Sequence, residues 1–369
     1  MAKPTPEYQG FEQGPIRPPS EAQSLLIRVV RNCPWNRCTF CPVYKGTDFS
    51  LRPVEHVLRD IDAVSRVTEA LERGAEPPRE DRHAQAAAFN WYRYGMKSVF
   101  LQDANALAVA PDALIAIIEH LRQRFANIER VTAYARSQSI TRLKPGRMEA
   151  IGAAGLDRIH IGLESGSDTV LRFVKKGPTK AKHIEAGQRV KAAGIELSEY
   201  YMPGLGGREW SREHAVESAD ALNRIDPDFI RLRSLAVPSS VPLFDDLAQG
   251  RFEKCTDRMV VEELLVFLEH LDGITSRITS DHVLNLLGEL EGKLPEDKPR
   301  LLAALRRFLD LSPQDQMVYQ VGRRLGAFHS LDDLADPRRT RMVEENCRAY
   351  GITPDNVDTM IDELMQRFI

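Results

Sequence analysis

The chain has 369 residues, and its 50 basic and 53 acidic side chains leave a net charge of −3. This near balance argues against an overall nucleic-acid-binding role, although it leaves room for a local basic patch. No apolar run approaches the ~20 residues that a membrane-spanning helix needs. Residues 1–23 carry several prolines and no hydrophobic signal core, and are therefore expected to form an extended arm. We expect a cytoplasmic protein.

Strand-like and helix-like segments alternate along the first two-thirds of the chain. Short β-rich runs occur at residues 25–30, 98–103, 130–135, 158–164, 196–202 and 229–235. Helical periodicity is found between them, at residues 53–73, 82–94, 111–125, 145–154, 179–193 and 211–224. Strands that alternate with helices in this way predict a parallel sheet with helices on its outside. Periodicity alone does not decide whether the sheet is doubly wound or closed into a barrel.

The last third of the chain has a different pattern. After about residue 244 the strand signals stop, and helical patterns follow at residues 257–271, 281–290, 298–309 and 354–368. We therefore predict one large α/β domain at residues 24–244 and an all-helical C-terminal appendage at residues 245–369. The appendage is expected to act as a cap or as a dimerisation unit.

The cysteines are distributed unevenly. Cys33, Cys38 and Cys41 lie in one loop directly after the first predicted strand, whereas Cys255 and Cys347 are isolated. In a parallel β/α fold, that loop lies at the carboxyl end of the sheet, where active sites collect. Three thiolates can bind a cubane of four irons and leave one iron without a protein ligand. The two isolated cysteines are expected to be bystanders.

A zinc site and a purely structural group of cysteines both fit this loop less well. Zinc normally takes four nitrogen or sulfur ligands, and the sequence places no fourth Cys or His nearby. Cysteines that only pack in a core seldom cluster in a loop that contains Pro and Asn. A simple electron-transfer protein is a further alternative, but it requires a fully ligated cluster. The cysteine loop therefore favours an iron–sulfur cluster with an open iron.

Three features of the sequence carry a family resemblance. Three cysteines after the first strand, with the aromatic Phe40 before the last, resemble the signature of the radical S-adenosylmethionine superfamily. The first two cysteines are separated by four residues, where the common family pattern has three. Residues 161–168, followed by Lys176, resemble the fourth-strand motif of the branch that contains oxygen-independent coproporphyrinogen oxidases. The turn that begins at Gly204 resembles the one after the fifth strand. The resemblance covers residues 24–244 and implies a partial (β/α)6 TIM-like barrel.

This resemblance implies a set of functional residues. The cofactors are a [4Fe–4S] cluster, with Cys33, Cys38 and Cys41 as its ligands, and S-adenosylmethionine. The residues expected to contact the cofactors are Phe40, Asp103, Asn105, Arg136, Glu164, Ser165, Lys176 and Gly204. Asp103 and Asn105 lie near the place where the family holds the methionine amino group. Glu164 suits a ribose, and Lys176 aligns with a basic position that contacts the cofactor carboxylate.

The resemblance also implies a reaction and its partners. Reductive cleavage of S-adenosylmethionine gives a 5′-deoxyadenosyl radical, which abstracts hydrogen from a polar small molecule or modified metabolite. An electron donor such as flavodoxin or ferredoxin and a homodimer are expected, and the enzyme is classed as an oxidoreductase. A non-catalytic relative that traffics heme or porphyrin is the alternative. Methylthiolation is disfavoured because the chain lacks a second three-cysteine group, and cobalamin dependence because few residues precede the first strand.

Overall fold

Strands and helices alternate in the computed structural model of this protein, which describes residues 7–79 and 81–365. The strands are β1 (Leu25–Arg28), β2 (Val30–Arg31), β3 (Ser50–Leu51), β4 (Ser98–Gln102), β5 (Arg130–Ala135), β6 (Arg158–Glu164), β7 (Glu196–Tyr201), β8 (Phe229–Leu232), β9 (Arg277–Thr279) and β10 (Gly292–Lys293). The helices are α1 (Val54–Glu72), α2 (Arg82–Arg93), α3 (Pro111–Arg124), α4 (Ser137–Thr141), α5 (Arg147–Ala153), α6 (Asp168–Phe173), α7 (Lys180–Ala192), α8 (Gly207–Ile225), α9 (Pro242–Ala248), α10 (Asp257–His270), α11 (Lys298–Leu309), α12 (Pro313–Arg324), α13 (Pro337–Ala349) and α14 (Val357–Met365).

The chain divides into two units, and the first is built on a parallel sheet. This unit comprises residues 1–36, 43–162 and 185–198. In it, β1 pairs with β4, β4 with β5 and β5 with β6, all in parallel. The carboxyl ends of parallel strands lie at the same edge of a sheet, so the residues that follow β1, β4 and β5 are brought close together. This edge contains the first part of the cysteine loop.

The second unit comprises residues 37–42, 163–184 and 199–369 and contains the helical C-terminal region. In this unit β8 pairs in parallel with β9, and β9 pairs antiparallel with β10. The expectation that strands stop after about residue 244 was therefore wrong, and the C-terminal region is not all-helical. The two added strands are only three and two residues long, which is too short for a clear alternating pattern.

The helix predicted at residues 281–290 was also wrong. All of these residues are described, and they form turns. The Asn285 side-chain amide donates to the Leu232 carbonyl at 2.9 Å, and its Oδ1 accepts from the Ser234 N–H at 3.0 Å. Such bonds between side chain and backbone compete with helical hydrogen bonding. The leucines of the segment are buried, which explains their helix-like spacing, whereas Val283 is exposed.

The predicted fold class is confirmed. The chain has an α/β architecture with a mostly parallel sheet and a largely helical C-terminal region. The additional helix expected near residues 82–94 is α2, which Asp81 caps by accepting hydrogen bonds from the N–H groups of His83 and Ala84. No helix among the described residues is long and apolar enough to cross a membrane. The boundaries predicted near residues 24 and 245 stay predictions.

Candidate active site

The residue before the first loop cysteine is held by several hydrogen bonds. Asn32 has a left-handed backbone with a φ of 67°, which Asn tolerates better than most residues. Its N–H donates to Asp103 Oδ2 at 3.1 Å. Its side chain donates to the Asp48 carbonyl at 2.6 Å and accepts from Arg28 at 3.2 Å. The protein itself therefore fixes the backbone that leads into Cys33.

Asp103, expected to contact the cofactor, is buried directly after β4 and is already paired. Its Oδ2 accepts from Arg28 Nε at 2.8 Å and from Nη2 at 2.7 Å, besides the N–H of Asn32. Gly14 packs so closely against Oδ1 that a Cβ at that position would lie only 1.9 Å from it. Burial, and then the charge of Asp103, raise the pKa of the Tyr44 hydroxyl far above its usual value. These contacts give Asp103 an anchoring role, and its contact with the methionine amino group stays a prediction.

Asn105 and Arg136 connect the ends of β4 and β5. The Asn105 Oδ1 accepts from the Arg136 N–H at 3.1 Å, and its Nδ2 donates to Ser139 Oγ at 2.8 Å. The Arg136 guanidinium carbon lies 5.2 Å from the centre of the Trp35 ring, which is a cation–π distance. Because Trp35 lies two residues after Cys33, this contact ties the cysteine loop to the end of β5.

Within the second unit, the second half of the cysteine loop packs on an apolar cluster. Phe40 is a buried member of this cluster, and the partly buried Cys38 and Cys41 lie against it. The other buried members are Val170, Val174, Met202, Leu205, Leu235, Val237, Val241, Leu243 and Phe252. The Thr39 N–H also donates to the Val174 carbonyl at 2.9 Å. Burying a large apolar side chain contributes about 1.5–3 kcal/mol, so Phe40 fastens this half of the loop to the core.

Glu164 and Lys176, both expected to contact the cofactor, form an ion pair close to Phe40. The Lys176 Nζ lies 3.1 Å from Glu164 Oε1 and 5.9 Å from the centre of the Phe40 ring. Glu164 ends β6 with a φ of 60°, a backbone conformation that is uncommon outside glycine and clusters at functional sites. Its buried Oε2 makes no hydrogen bond with any residue that the structure describes. The two side chains stay 13% and 14% exposed, so a ligand can reach them.

Glu199, on β7, is fully buried close to this pair. Neither of its carboxyl oxygens makes a hydrogen bond within the described part of the chain, although the Leu163 N–H lies nearby. Burial raises the pKa of Glu199 well above its usual value; the Lys176 charge opposes the rise and the Glu164 charge adds to it. No sequence signal reveals that this buried carboxyl has so few partners.

Ser165 is held by a histidine that sequence reasoning missed. The His214 Nε2 lies 3.0 Å from the Met202 carbonyl, and its Nδ1 lies 2.8 Å from Ser165 Oγ. A carbonyl only accepts, so Nε2 carries the proton and Nδ1 accepts from the Ser165 hydroxyl. Burial lowers the pKa of His214, which keeps the ring neutral. The Ser165 hydroxyl is therefore committed to fixing the chain after Glu164.

Gly204 is held by a carboxylate from the C-terminal region. The Oε1 of the buried Glu263, on α10, accepts from the Gly204 N–H at 2.8 Å and from the Tyr201 hydroxyl at 2.9 Å. Its Oε2 accepts from the Ser211 hydroxyl at 2.7 Å. Gly204 has a φ of 83°, which favours glycine. The Tyr201 ring stacks on Phe267 of the same helix, with ring centres 4.1 Å apart. Since Glu263 lies 59 residues after Gly204, no local pattern indicates the contact.

The five cysteines fall into two classes by their exposure. The loop cysteines are partly exposed, whereas Cys255 and Cys347 are buried. Burial raises the pKa of Cys255 to about 12, which keeps it protonated, although metals bind the thiolate. Among the described residues, no group of three His, Cys, Asp or Glu side chains is placed to hold a metal ion, either in the loop or around the buried cysteines. Only the loop offers the accessible, reduced thiols that suit an iron–sulfur cluster.

The family comparison decides the assignment. The sequence profile of the Radical SAM superfamily matches residues 27–219, a range that includes the cysteine loop, Glu164 and Gly204. This chain belongs to the Radical SAM superfamily. The predicted cofactors of this radical SAM enzyme, a [4Fe–4S] cluster and S-adenosylmethionine, are thereby confirmed, whereas its branch is not decided.

Two curated proteins share sequence similarity with this radical SAM chain. It is 28% identical over 224 residues to 4′-phospho-dehydrooxetanocin synthase of Priestia megaterium. The aligned region covers 55% of this chain and 26% of that protein. It is 26% identical over 228 residues to tRNA-2-methylthio-N(6)-dimethylallyladenosine synthase of Alkalilimnicola ehrlichii. Here the aligned region covers 60% of this chain and 44% of that protein. The chain thus spans less than half the length of either relative.

Two solved structures are among those that match this chain. A radical S-adenosylmethionine methyltransferase from Kitasatospora setae matches with a TM-score of 0.44 and 17% identity, over 61% of this chain and 38% of that one. Methylornithine synthase matches with a TM-score of 0.43 and 12% identity, over 77% of this chain and 82% of that one. Similarity at this level gives no guide to the substrate.

Proposed function

We propose that this chain reductively cleaves S-adenosylmethionine and uses the 5′-deoxyadenosyl radical to abstract hydrogen from a polar small molecule or modified metabolite. The observation that carries the proposal is the loop with three partly exposed cysteines, Cys33, Cys38 and Cys41, in a chain of the Radical SAM superfamily. These thiolates are proposed to hold the [4Fe–4S] cluster and to leave one iron open. When bound and reduced, the cluster supplies the electron that splits the sulfonium.

The residues of the chain supply binding and orientation. We propose that Lys176 contacts the carboxylate of S-adenosylmethionine and that Glu164 contacts its ribose. The support is that both side chains are reachable and that the buried Glu164 Oε2 has no hydrogen-bond partner among the described residues. Phe40 is proposed to pack beside them, and Gly204 to present its backbone to the cofactor.

The other predicted contacts are proposed to act with them. Arg136 and Asn105 are placed together at the edge where the cysteine loop begins. Ser165 is proposed to contribute by holding the backbone after Glu164, since its hydroxyl is bonded to His214. Asp103 is proposed to support the loop through Asn32. In this arrangement the protein binds, orients and excludes water, while the cofactors supply the radical chemistry.

The branch and the partners belong to the proposal as well. The motif at residues 161–168 supports a relationship to the branch of oxygen-independent coproporphyrinogen oxidases, whereas the curated relatives described above carry the names of other reactions. An electron donor such as flavodoxin or ferredoxin is required by the reductive step. A homodimer stays a prediction. No observation favours the alternative of a heme chaperone.

The direct test is anaerobic reconstitution followed by treatment with dithionite and S-adenosylmethionine. We expect about four irons per chain and slow formation of 5′-deoxyadenosine and methionine without any substrate. Cys33→Ala, Cys38→Ala and Cys41→Ala should each lose the cluster. The matched control is the double variant Cys255→Ala/Cys347→Ala, which should keep it. A fully loaded protein that releases no 5′-deoxyadenosine contradicts the proposed function.

A further inference from the structure

One of the cysteine sulfurs accepts a backbone hydrogen bond from within the loop. The Asn36 N–H donates to Cys33 Sγ, with 3.5 Å between nitrogen and sulfur. Asn36 has a left-handed backbone, with a φ of 44°. The φ angle sets the direction of the N–H relative to the side chain and carbonyl of Asn36, so this left-handed value is part of the geometry in which the N–H meets Cys33 Sγ. The backbone of the loop thus turns back toward its first sulfur.

The position of this N–H is set by residues beyond the sulfur. The Asn36 side-chain amide donates to the Tyr44 carbonyl at 2.5 Å and to the Thr47 carbonyl at 3.3 Å. Lys45 Nζ donates to the Asn36 carbonyl at 3.0 Å. These contacts hold the residue from its side chain and from its carbonyl. The segment after the loop therefore orients the N–H, and Cys33 receives it.

Asn36 also lies where the chain differs from its family's common pattern. It is one of the four residues between Cys33 and Cys38, where the common pattern has three. A longer connection must fold back if both sulfurs are to bind one cluster. A left-handed residue produces such a reversal, and Asn adopts that conformation more readily than most residues. The longer spacing and the N–H···S bond are two aspects of one local geometry.

We propose that the Asn36 N–H is a tuning group for the cluster, which donates to the Cys33 sulfur when that sulfur binds iron. This inference rests on the proposed role of Cys33 as a ligand. A donor near the sulfur stabilises the reduced cluster, which is the more negative state, and so raises the reduction potential. Hydrogen bonds to ligand sulfurs are one of the ways in which proteins set cluster potentials.

Two substitutions separate the backbone N–H from the Asn36 side chain. Asn36→Gly keeps the N–H, permits the left-handed conformation and retains the carbonyl that Lys45 contacts, so its potential should stay closer to that of the wild type than the potential of Asn36→Val. Asn36→Val disfavours the conformation, because a β-branched residue rarely adopts a positive φ. Its ratio of reduced to oxidised cluster, at the wild-type midpoint, should fall about tenfold, which corresponds to about 59 mV for a one-electron couple.

Redox titration followed by electron paramagnetic resonance measures both variants. A wild-type potential in Asn36→Val overturns the proposal, and so does an equal fall in Asn36→Gly, since the side chain would then be responsible. Iron content is measured first. A wild-type chain that holds no cluster refutes the proposed function, whereas a loaded chain with unchanged potentials refutes only the tuning role.

Isotope labelling keeps the test decisive if Asn36→Val fails to hold a cluster. In protein labelled with 15N-asparagine, pulsed electron paramagnetic resonance of the reduced cluster should show a coupling to an amide nitrogen. Asn36→Gly grown in the same medium should lose that coupling. When Asn36→Gly is labelled with 15N-glycine instead, the coupling should return. Wild type labelled with 15N-glycine should lack this coupling. If the wild-type spectrum shows no coupling that is lost in Asn36→Gly, the proposal is overturned.

Discussion

The ends of β4 and β6 both contain acidic residues that the sequence assigns to cofactor binding, yet the structure uses them differently. After β4, Asp103 accepts three hydrogen bonds through Oδ2, whereas its buried Oδ1 makes no hydrogen bond among the described residues and is covered by Gly14. At the end of β6, Glu164 keeps one buried oxygen without a hydrogen bond among the described residues, and so does Glu199 with both of its oxygens. Buried polar groups are normally satisfied. Each end thus keeps a buried oxygen without a hydrogen bond, but Gly14 covers the one after β4, whereas the Glu164 side chain is 13% exposed. The closed end therefore supports the loop, and the accessible end is suited to a ligand.

Removal of Asp103 is expected to have the largest effect. Asp103→Ala leaves the Arg28 guanidinium, only 15% exposed, without its main partner. Loss of one member of a buried pair costs about 3–5 kcal/mol, and we expect the lower end because Glu12 also lies 3.8 Å away. Urea unfolding of the cluster-free protein measures the change. Asp112→Ala, which breaks an exposed pair with Arg147, is the control and should cost less than about 1 kcal/mol.

The outcome for Asp103 also tests the comparison directly. A variant as stable as the wild type, but with weaker binding of S-adenosylmethionine, contradicts the anchoring role. It would return Asp103 to the set of cofactor contacts. A destabilised variant that still binds the cofactor normally when loaded sharpens the distinction between the two strand ends.

Glu164→Ala and Lys176→Ala are expected to weaken cofactor binding and leave the iron content unchanged. Loss of one charge-assisted hydrogen bond costs about 1.5–3 kcal/mol, or about 10- to 150-fold in affinity. Titration of the loaded protein with S-adenosylmethionine measures this. Lys180→Ala is a closely matched control, because Lys180 is 16% exposed and pairs with Glu217 and Asp220 instead. Unchanged affinity in both test variants removes the argument for a ligand-binding end of β6.

The smallest effect is expected from Glu199, and it depends on pH. Burial raises the pKa of this carboxyl well above its usual value, so the folded protein holds a proton that the unfolded chain releases at lower pH. Stability is then greatest below the pKa of the unfolded chain and falls as the pH rises through the folded pKa. Glu199→Gln removes this loss. It should melt a few degrees above the wild type at pH 8 and no higher at pH 4.

Thermal melts across this pH range check the expectation for Glu199. Glu185→Gln, which changes a 44% exposed carboxyl paired with Arg189, should show no such dependence. If Glu199→Gln melts below the wild type at pH 8, the carboxyl is charged and paired in the folded protein. The surroundings of Glu199 would then resemble the closed end of β4.

Much of the fold follows from local sequence patterns. The β/α alternation, the added helix α2 and the cysteine loop each depend on residues close in sequence. The contacts that distinguish the two strand ends do not. Arg28 and Asp103 are 75 residues apart, so no local pattern shows that the aspartate is already paired. The helix expected at residues 281–290 fails for a similar reason, because Asn285 bonds to Leu232, 53 residues earlier.

The carboxylate of Glu263 limits how this protein can be divided or recombined. The turn at Gly204 belongs to the stretch that resembles the family, yet its N–H is satisfied by a helix 59 residues further along. A recombined protein must therefore keep the two stretches of sequence together or replace the acceptor. A chimera that joins residues 24–244 to the tail of a relative leaves a buried N–H without an acceptor unless the new tail supplies one. Residues 24–244 therefore cannot be exchanged as a module without that hydrogen bond or a replacement for it.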